Sequence, residues 1–381
     1  MNKPMLLAVL GIAAFLPIQA DACSIPVFRY ALERWDLTRY EILVYHRGKL
    51  PADLAKTLAA WDNAPNKANI DISLLDLDGD IKPDLLKIWQ DQEGDPKTPW
   101  MVVRNKEAST KFAWAGPCNV ANFNSVLDSP IRRAILAHLT RGASGVYVFM
   151  TGEDAEQDRA AFAMVKETLQ VIEKKITLPE QTKEGPQMIL PLPLRVSLPL
   201  LVLDRTKPDE ALFVKLLFGT EEGLDKVKGP ILFPIFGRGR VMCSLSGDEL
   251  LDKNILITAK FLCGACSCEL KAANPGVDML MSANWNEIFD CLFEDKQCMV
   301  MPAETFAALP GDAFKAAPSI APAPKCCEPE TPSATEEIEC HECRVCQFDC
   351  PIARNWQWIL SGVAGAMLTG AGIWTFCLLR K

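Results

Sequence analysis

Four cysteines, Cys340, Cys343, Cys346 and Cys350, stand two, two and three residues apart, with Pro351 after the last. Thiolates at this spacing can hold a [4Fe–4S] cluster. With His341 beside them they also offer the tetrahedral nitrogen and sulfur ligands that zinc takes. In an oxidising compartment, the same thiols together with Cys326 and Cys327 can close disulfides instead. All three chemistries fit the residues. A preassembled cluster, however, crosses a membrane inside a folded protein behind a twin-arginine signal, and Met1-Asn2-Lys3-Pro4 carries none.

Cys263-Gly264-Ala265-Cys266 is the second such constellation. A Cys-x-x-Cys at a helix start lowers the pKa of its first thiol and makes it a nucleophile, so Cys263 and Cys266 are the candidate catalytic redox pair. If Ile255 to Phe261 is a strand, the pair has that placement. If Asn254 to Cys263 is a helix, the pair sits at its C-terminal end, where the dipole disfavours a thiolate, and a structural disulfide is the alternative. Cys268 adds a Cys-x-Cys suited to metal or to disulfide exchange. Cys23 and Cys118 are the thiols of the first domain and candidates for a bridge that clamps the N-terminal segment down, unless Cys23 is left as an exposed reactive thiol.

Fifteen cysteines are many for 381 residues. Apart from Cys377, eight lie in the globular part and six in the stalk, even numbers that suit full pairing in an oxidising space. Asp76-Leu77-Asp78-Gly79-Asp80 begins like a calcium loop. Ile81 replaces its glycine and Lys87 its closing glutamate, so a solvated turn ahead of a helix is the expectation. Arg238 and Arg240 flank a turn and read as solvated. The histidines are His46, His138 and His341, and G-x-S-x-G, H-E-x-x-H, P-loop and G-x-G-x-x-G patterns are missing. A net charge of −8 argues against a nucleic-acid footprint.

The two ends set where this chemistry would operate. Met1-Asn2-Lys3, an apolar Leu6 to Leu16 and the small-x-small Ala20-Asp21-Ala22 read as a signal peptide over 1–22, with the mature chain beginning at Cys23. Acylation of Cys23 would want a large aliphatic residue where Ala20 stands. Trp356 to Leu379 is apolar, carries no charge, and has the ~20-residue length of a membrane span. Arg380-Lys381 after it favours the cytoplasmic side for the tail, leaving everything before it outside. Gly362, Ala366 and Gly370 recur every four residues, which suits a helix homodimer but is also common in membrane helices.

Between the ends, hydrophobic periodicity predicts strands over Tyr40–Tyr45 and Ile70–Leu77, helices over Ala52–Trp61 and Pro83–Gln90, a hairpin of Trp100–Val103 and Lys111–Ala115, and a helix over Ser129–Leu139. After Gly142 and Gly145 the order begins again. It predicts strand Val146–Met150, helix Ala155–Lys174, strand Leu194–Leu203, helix Glu210–Phe218, strands Ile231–Phe236 and Val241–Leu245, and helix Asn254–Cys263. From Pro302 to Glu339 prolines and acids dominate, the composition of a semi-extended spacer.

This βαβαββα order, met twice, resembles the thioredoxin fold over about two thirds of the chain, with Pro99 and Pro230 where that family places a cis-proline. Its Cys-x-x-Cys would fall at His46-Arg47-Gly48-Lys49-Leu50-Pro51 and at Thr151-Gly152-Glu153-Asp154, and neither site has a thiol. Cys23-Ser24-Ile25-Pro26 and the Phe261 to Cys268 stretch are also similar to a set of uncharacterised bacterial exported proteins with a C-terminal anchor.

The expectation is an α/β chain of two tandem thioredoxin-like domains, 23–142 and 143–301, followed by a Cys-containing stalk (302–355), a single transmembrane helix (356–379) and a cytoplasmic tail (380–381). Its expected place is the cell membrane, single-pass, with the globular part periplasmic. The expected partners are the membrane and other membrane or exported proteins, with no nucleic acid. Binding or scaffolding without the usual active site is the leading function. A thiol–disulfide oxidoreductase, or an electron-transfer protein holding Fe–S or zinc in the stalk, is the alternative.

Overall fold

The computed structural model describes residues 24–64, 67–105, 113–183, 185–266 and 276–294. The signal segment, Cys23, Cys268, the stalk cysteines and Trp356–Leu379 lie outside them. Among the described residues no helix is long and apolar enough to cross a membrane.

In chain order the elements are α1 (Val27–Arg34), β1 (Tyr40–His46), α2 (Ala52–Asp62), β2 (Ile70–Asp76), α3 (Pro83–Gln90), β3 (Trp100–Asn105), β4 (Trp114–Pro117), α4 (Val120–Leu127) and α5 (Pro130–Leu139). There follow β5 (Val146–Met150), α6 (Ala155–Lys175), β6 (Leu200–Leu203), α7 (Ala211–Phe218), β7 (Ile231–Phe236), β8 (Arg240–Val241), β9 (Leu245–Ser246), α8 (Asp252–Cys263), β10 (Val277–Asp278) and α9 (Trp285–Phe293).

The protein is a mixed α/β structure with two sheets. The first has the order β2-β1-β3-β4, with β1 parallel to β2 and antiparallel to β3. The second has the order β10-β8-β7-β5-β6, with β9 also on β7, and β5 is parallel to β6 and antiparallel to β7. Of the two prolines ahead of the third strands, Pro99 follows a cis bond and Pro230 does not.

Side-chain alternation along the strands sorts the residues into layers. Ile42, Val44, Met101 and Val103 of the first sheet and Val146, Val148, Ile231 and Phe233 of the second enter one continuous core. Phe123 of α4, Ile131 and Ile135 of α5, and Phe213 of α7 fill the space between the two sheets. Opposite residues of the second sheet, Tyr147, Phe149 and Leu232, pack under α6 and α8. The opposite residues of the first, Leu43, Tyr45 and Val102, meet α3.

Two strands are shorter than their apolar runs. Pro191, Pro193 and Pro199 have no N–H for a ladder, so only Leu200–Leu203 pairs. The run after Gly239 breaks into β8 and β9 because Ile235 faces Val241 while Leu232 faces Leu245, leaving one extra residue across Met242–Ser244. Pro234 stands opposite that bulge without an N–H to donate, and its carbonyl accepts Met242 N at 2.9 Å.

The sequence patterns miss α1, α4, β10 and α9. Of these, α1 and the residues just past β10 reach across between the two sheets. The helix α1 packs Phe28 and Ala31 on Phe236 of β7 and Leu262 of α8. Its buried ion pair, Arg29 Nε to Glu33 Oε1 at 2.7 Å, grips the 189–192 backbone. Glu33 accepts Ile189 N and Leu190 N at 2.9 Å, and Arg29 donates to the carbonyls of Leu190 and Leu192. Past β10 the chain crosses to the first sheet, where Asn69 donates to Met279 O and accepts from Met281 N.

The expectation that Arg238 and Arg240 are solvated is corrected. Arg238 donates to the carbonyls of Leu32 and Glu33 and lies over Phe289, and Arg240 is buried against Asp278. The turn at Gly237–Gly239 faces α1 and the strap after β10 rather than water, which no local pattern reveals.

Candidate functional site

Among the described residues three places could hold chemistry: the carboxyl ends of β1 and β5, and the seat of Cys263 and Cys266. Crevices at the carboxyl ends of parallel strands are the usual binding positions of α/β sheets.

At the end of β1, His46 Nδ1 lies 2.9 Å from Gly48 O, and Arg47 pairs with Asp78 at the surface. Gly48 adopts φ +57°, a left-handed turn that a side chain resists. Helix α2 then starts behind Pro51 with no side-chain cap.

The end of β5 is closed by side chains. Arg205 donates to Thr151 O, to Val227 O at 2.8 Å and to Gly229 O at 2.7 Å. Asp154 caps α6 by accepting Glu156 N and Gln157 N, which holds its carboxyl below the usual carboxylate range. Asp158, buried behind it, accepts Gly152 N at 2.7 Å, yet desolvation outweighs that bond and raises its pKa. A Cβ on Gly152 would come within 2.8 Å of the Lys228 and Gly229 backbone, so the turn leaves no room for a larger group. The arrangement binds its own loops and offers no nucleophile. Arg205 and Asp158 were missed in the sequence because each is a lone charge beside an unremarkable helix or turn.

Helix α8 extends to Cys263, so the Cys-x-x-Cys begins at a helix C-terminus. Cys263 is 1% exposed and Cys266 2%. Burial pushes the Cys263 thiol up to about 11, partly offset by a hydrogen bond with Ser144. Helix dipole and desolvation both oppose a thiolate there. The N-terminal segment lies over the motif: Val27 N donates to Gly264 O and Cys266 N to Ile25 O, both at 2.9 Å, with Pro26 bridged to Ala265. Cys266 joins the apolar cluster of Val27, Phe28 and Trp35, against which the half-buried Cys243 also packs. Sequence reading missed Cys243; the bulge carries it to this seat.

Cys118 and Cys263 stand as thiols, and Cys291 is disulfide-bonded. Cys118 is 4% exposed in the core between the sheets, where burial pushes its thiol up to about 11. Its expected partner Cys23 lies outside the described residues, and Ser24, next in the chain, meets Gln181 and Thr182. Cys340, Cys343, Cys346, Cys350 and His341 also lie outside. Among the described residues no group of three or more His, Cys, Asp or Glu is set to hold a metal ion. Asp76 accepts Asp78 N within its turn, as a solvated loop does.

Comparison with protein-family models, with curated proteins and with solved structures finds no match.

Proposed function

We propose that the chain is an exported, membrane-anchored binding or scaffolding protein built on two thioredoxin-like units that lack the usual active site. The thioredoxin-like reading is supported by the shared strand scheme, in which each first strand runs parallel to the second and antiparallel to the third. The single observation that carries the function is the filling of the strand end in the second unit, where Arg205 spans three backbone carbonyls in the place of a dithiol. A protein that spends its crevice on internal bonds presents its outer surfaces to partners. The stalk over 302–355 would hold these units off the bilayer, with Trp356–Leu379 as the anchor. For the stalk thiols, disulfides or zinc suit a chain exported unfolded better than a cluster does.

The test has two arms. Protease added to intact spheroplasts should release a soluble fragment ending in the stalk, and protection of the globular part would refute the topology. Cross-linking in cells, followed by isolation of the full chain, should trap it in discrete assemblies. A chain that stays monomeric after cross-linking and turns over a disulfide substrate would refute the binding role.

A further inference from the structure

We propose that the outer face of the first sheet, running from β2 across α3 to Trp100, docks a cationic amphipathic segment of a partner protein. This rests on the binding reading above and names the surface and the chemistry of what it binds.

The two sheets are finished differently on their outer faces. Over the second lie α6, α8 and α1, and Tyr147, Phe149 and Phe236 beneath them are fully buried. Over the first, among the described residues, lies α3, eight residues long. Between Asp71 and Trp100 no residue is buried, although the stretch contains Leu75, Leu77, Leu85, Ile88, Trp89 and Trp100, all packed on Leu43, Tyr45 and Val102. Leu75, which pairs with Tyr45, lies on this face, and β2 is an edge strand of its sheet. Half-exposed apolar side chains concentrated on one face mark an interaction surface rather than scattered surface residues.

The face is preformed. Tyr45 Oη donates to Leu85 O at 2.7 Å, the Trp89 ring lies 5.4 Å from that of Tyr45, and Trp100 Nε1 donates to Gln92 Oε1 at 3.1 Å. Two tryptophans already held in place lose little conformational entropy when covered, which favours them as anchors.

Charge decides the occupant. From Asp71 to Trp100 the chain carries eight acids against Lys82, Lys87 and Lys97, a net of five negative charges, with Asp71 paired to Arg39 and Asp78 to Arg47. Asp78, Asp80, Asp84, Asp91, Glu93 and Asp95 are exposed around the apolar face. A second copy would bring the same acids and be repelled. The chain's own spacer, with seven acids and two lysines over 302–339, is repelled likewise. An anionic bilayer is repelled too. A segment with one apolar and one basic face satisfies both the rings and the rim.

The test uses the purified full-length chain and two short photoreactive probes, a Leu/Lys peptide of amphipathic helical pattern and its Leu/Glu counterpart. The Leu/Lys peptide should label residues between 75 and 100, the Leu/Glu peptide should not, and the D84K/D91K/D95K variant should lose labelling by about tenfold or more while keeping its thermal midpoint. Equal labelling of the variant, or equal labelling by both peptides, would overturn the proposal, as would anionic vesicles that capture the chain through this face. Labelling that lands around Ile257 on α8 would overturn this face while leaving the binding reading intact. Ile88→Ser, a milder change, should weaken labelling without altering the charge of the rim, and unchanged labelling would count against the apolar half of the argument.

Discussion

Arg240 Nη1 lies 2.9 Å from Asp278 Oδ1, with both side chains almost fully buried. The pair joins β8 to β10, and the same aspartate reaches the first sheet: its Oδ2 accepts Thr38 N at 2.9 Å and its carbonyl accepts the Tyr40 hydroxyl at 2.8 Å. One residue thus fixes the second sheet's edge and the start of β1 together.

Removing one member of such a pair leaves a buried charge uncompensated, at a cost of about 3 to 5 kcal/mol. Asp278→Ala should lower the urea midpoint accordingly, and adding Arg240→Met should restore part of the loss. Unchanged unfolding in the single variant would show that water reaches Arg240.

Glu210 accepts Ile131 N at 2.8 Å at the start of α5, and its Oε2 is buried with no hydrogen-bond partner within 3.5 Å among the described residues. Burial raises its pKa, against the pull of Ser129, Ile131, Arg132 and Arg133. A carboxyl raised on folding holds its proton longer in the folded state, so its contribution to stability is full below about pH 4.3 and is lost as pH rises through the folded value. Glu210→Gln should flatten the fall in stability above that pH. A parallel profile for variant and parent would sink the assignment.

Cys263, with its thiol pushed up to about 11, should react slowly with iodoacetamide at pH 8 in the native chain and quickly in urea. The chain should reduce insulin disulfides no faster than background. Brisk turnover that disappears in Cys263→Ser would make the oxidoreductase reading the right one.

Arg205 closes the strand end of the second unit through three carbonyls. Arg205→Lys keeps the charge but cannot span them, and should cost about 1 to 3 kcal/mol by leaving buried carbonyls unpaired. Thermal melts compare the two, and an unshifted midpoint would mean that solvent serves those carbonyls equally well.

On the proposed anchored topology, protein isolated from the membrane fraction should lack the broad visible absorbance of a [4Fe–4S] cluster and carry either no reactive stalk thiols or about one zinc per chain, held by Cys340, Cys343, Cys346 and Cys350. Brown protein whose colour is lost in Cys346→Ser would mean that spacing outweighs compartment.

Local order was written in the sequence wherever neighbours along the chain decide it. Tyr40–His46 is an apolar run rich in aromatic and branched residues that reads as a buried strand, Pro83 and Asp84 open α3, and Asp154 caps α6, because dihedral preference, side-chain period and first-turn charge act within a few residues. The lack of thiols at the ends of β1 and β5 was equally plain. What the tertiary structure decided is which distant groups meet. Arg29 takes the carbonyl of Leu190 across 161 positions, and the turn that reads as solvated buries Arg240 on Asp278. The segment starting at Ser24 lies over Cys263 and Cys266 at the end of α8. Buried polar groups must find partners, but which partner depends on how helices and straps cross between the two sheets, and that information is carried by the whole chain at once.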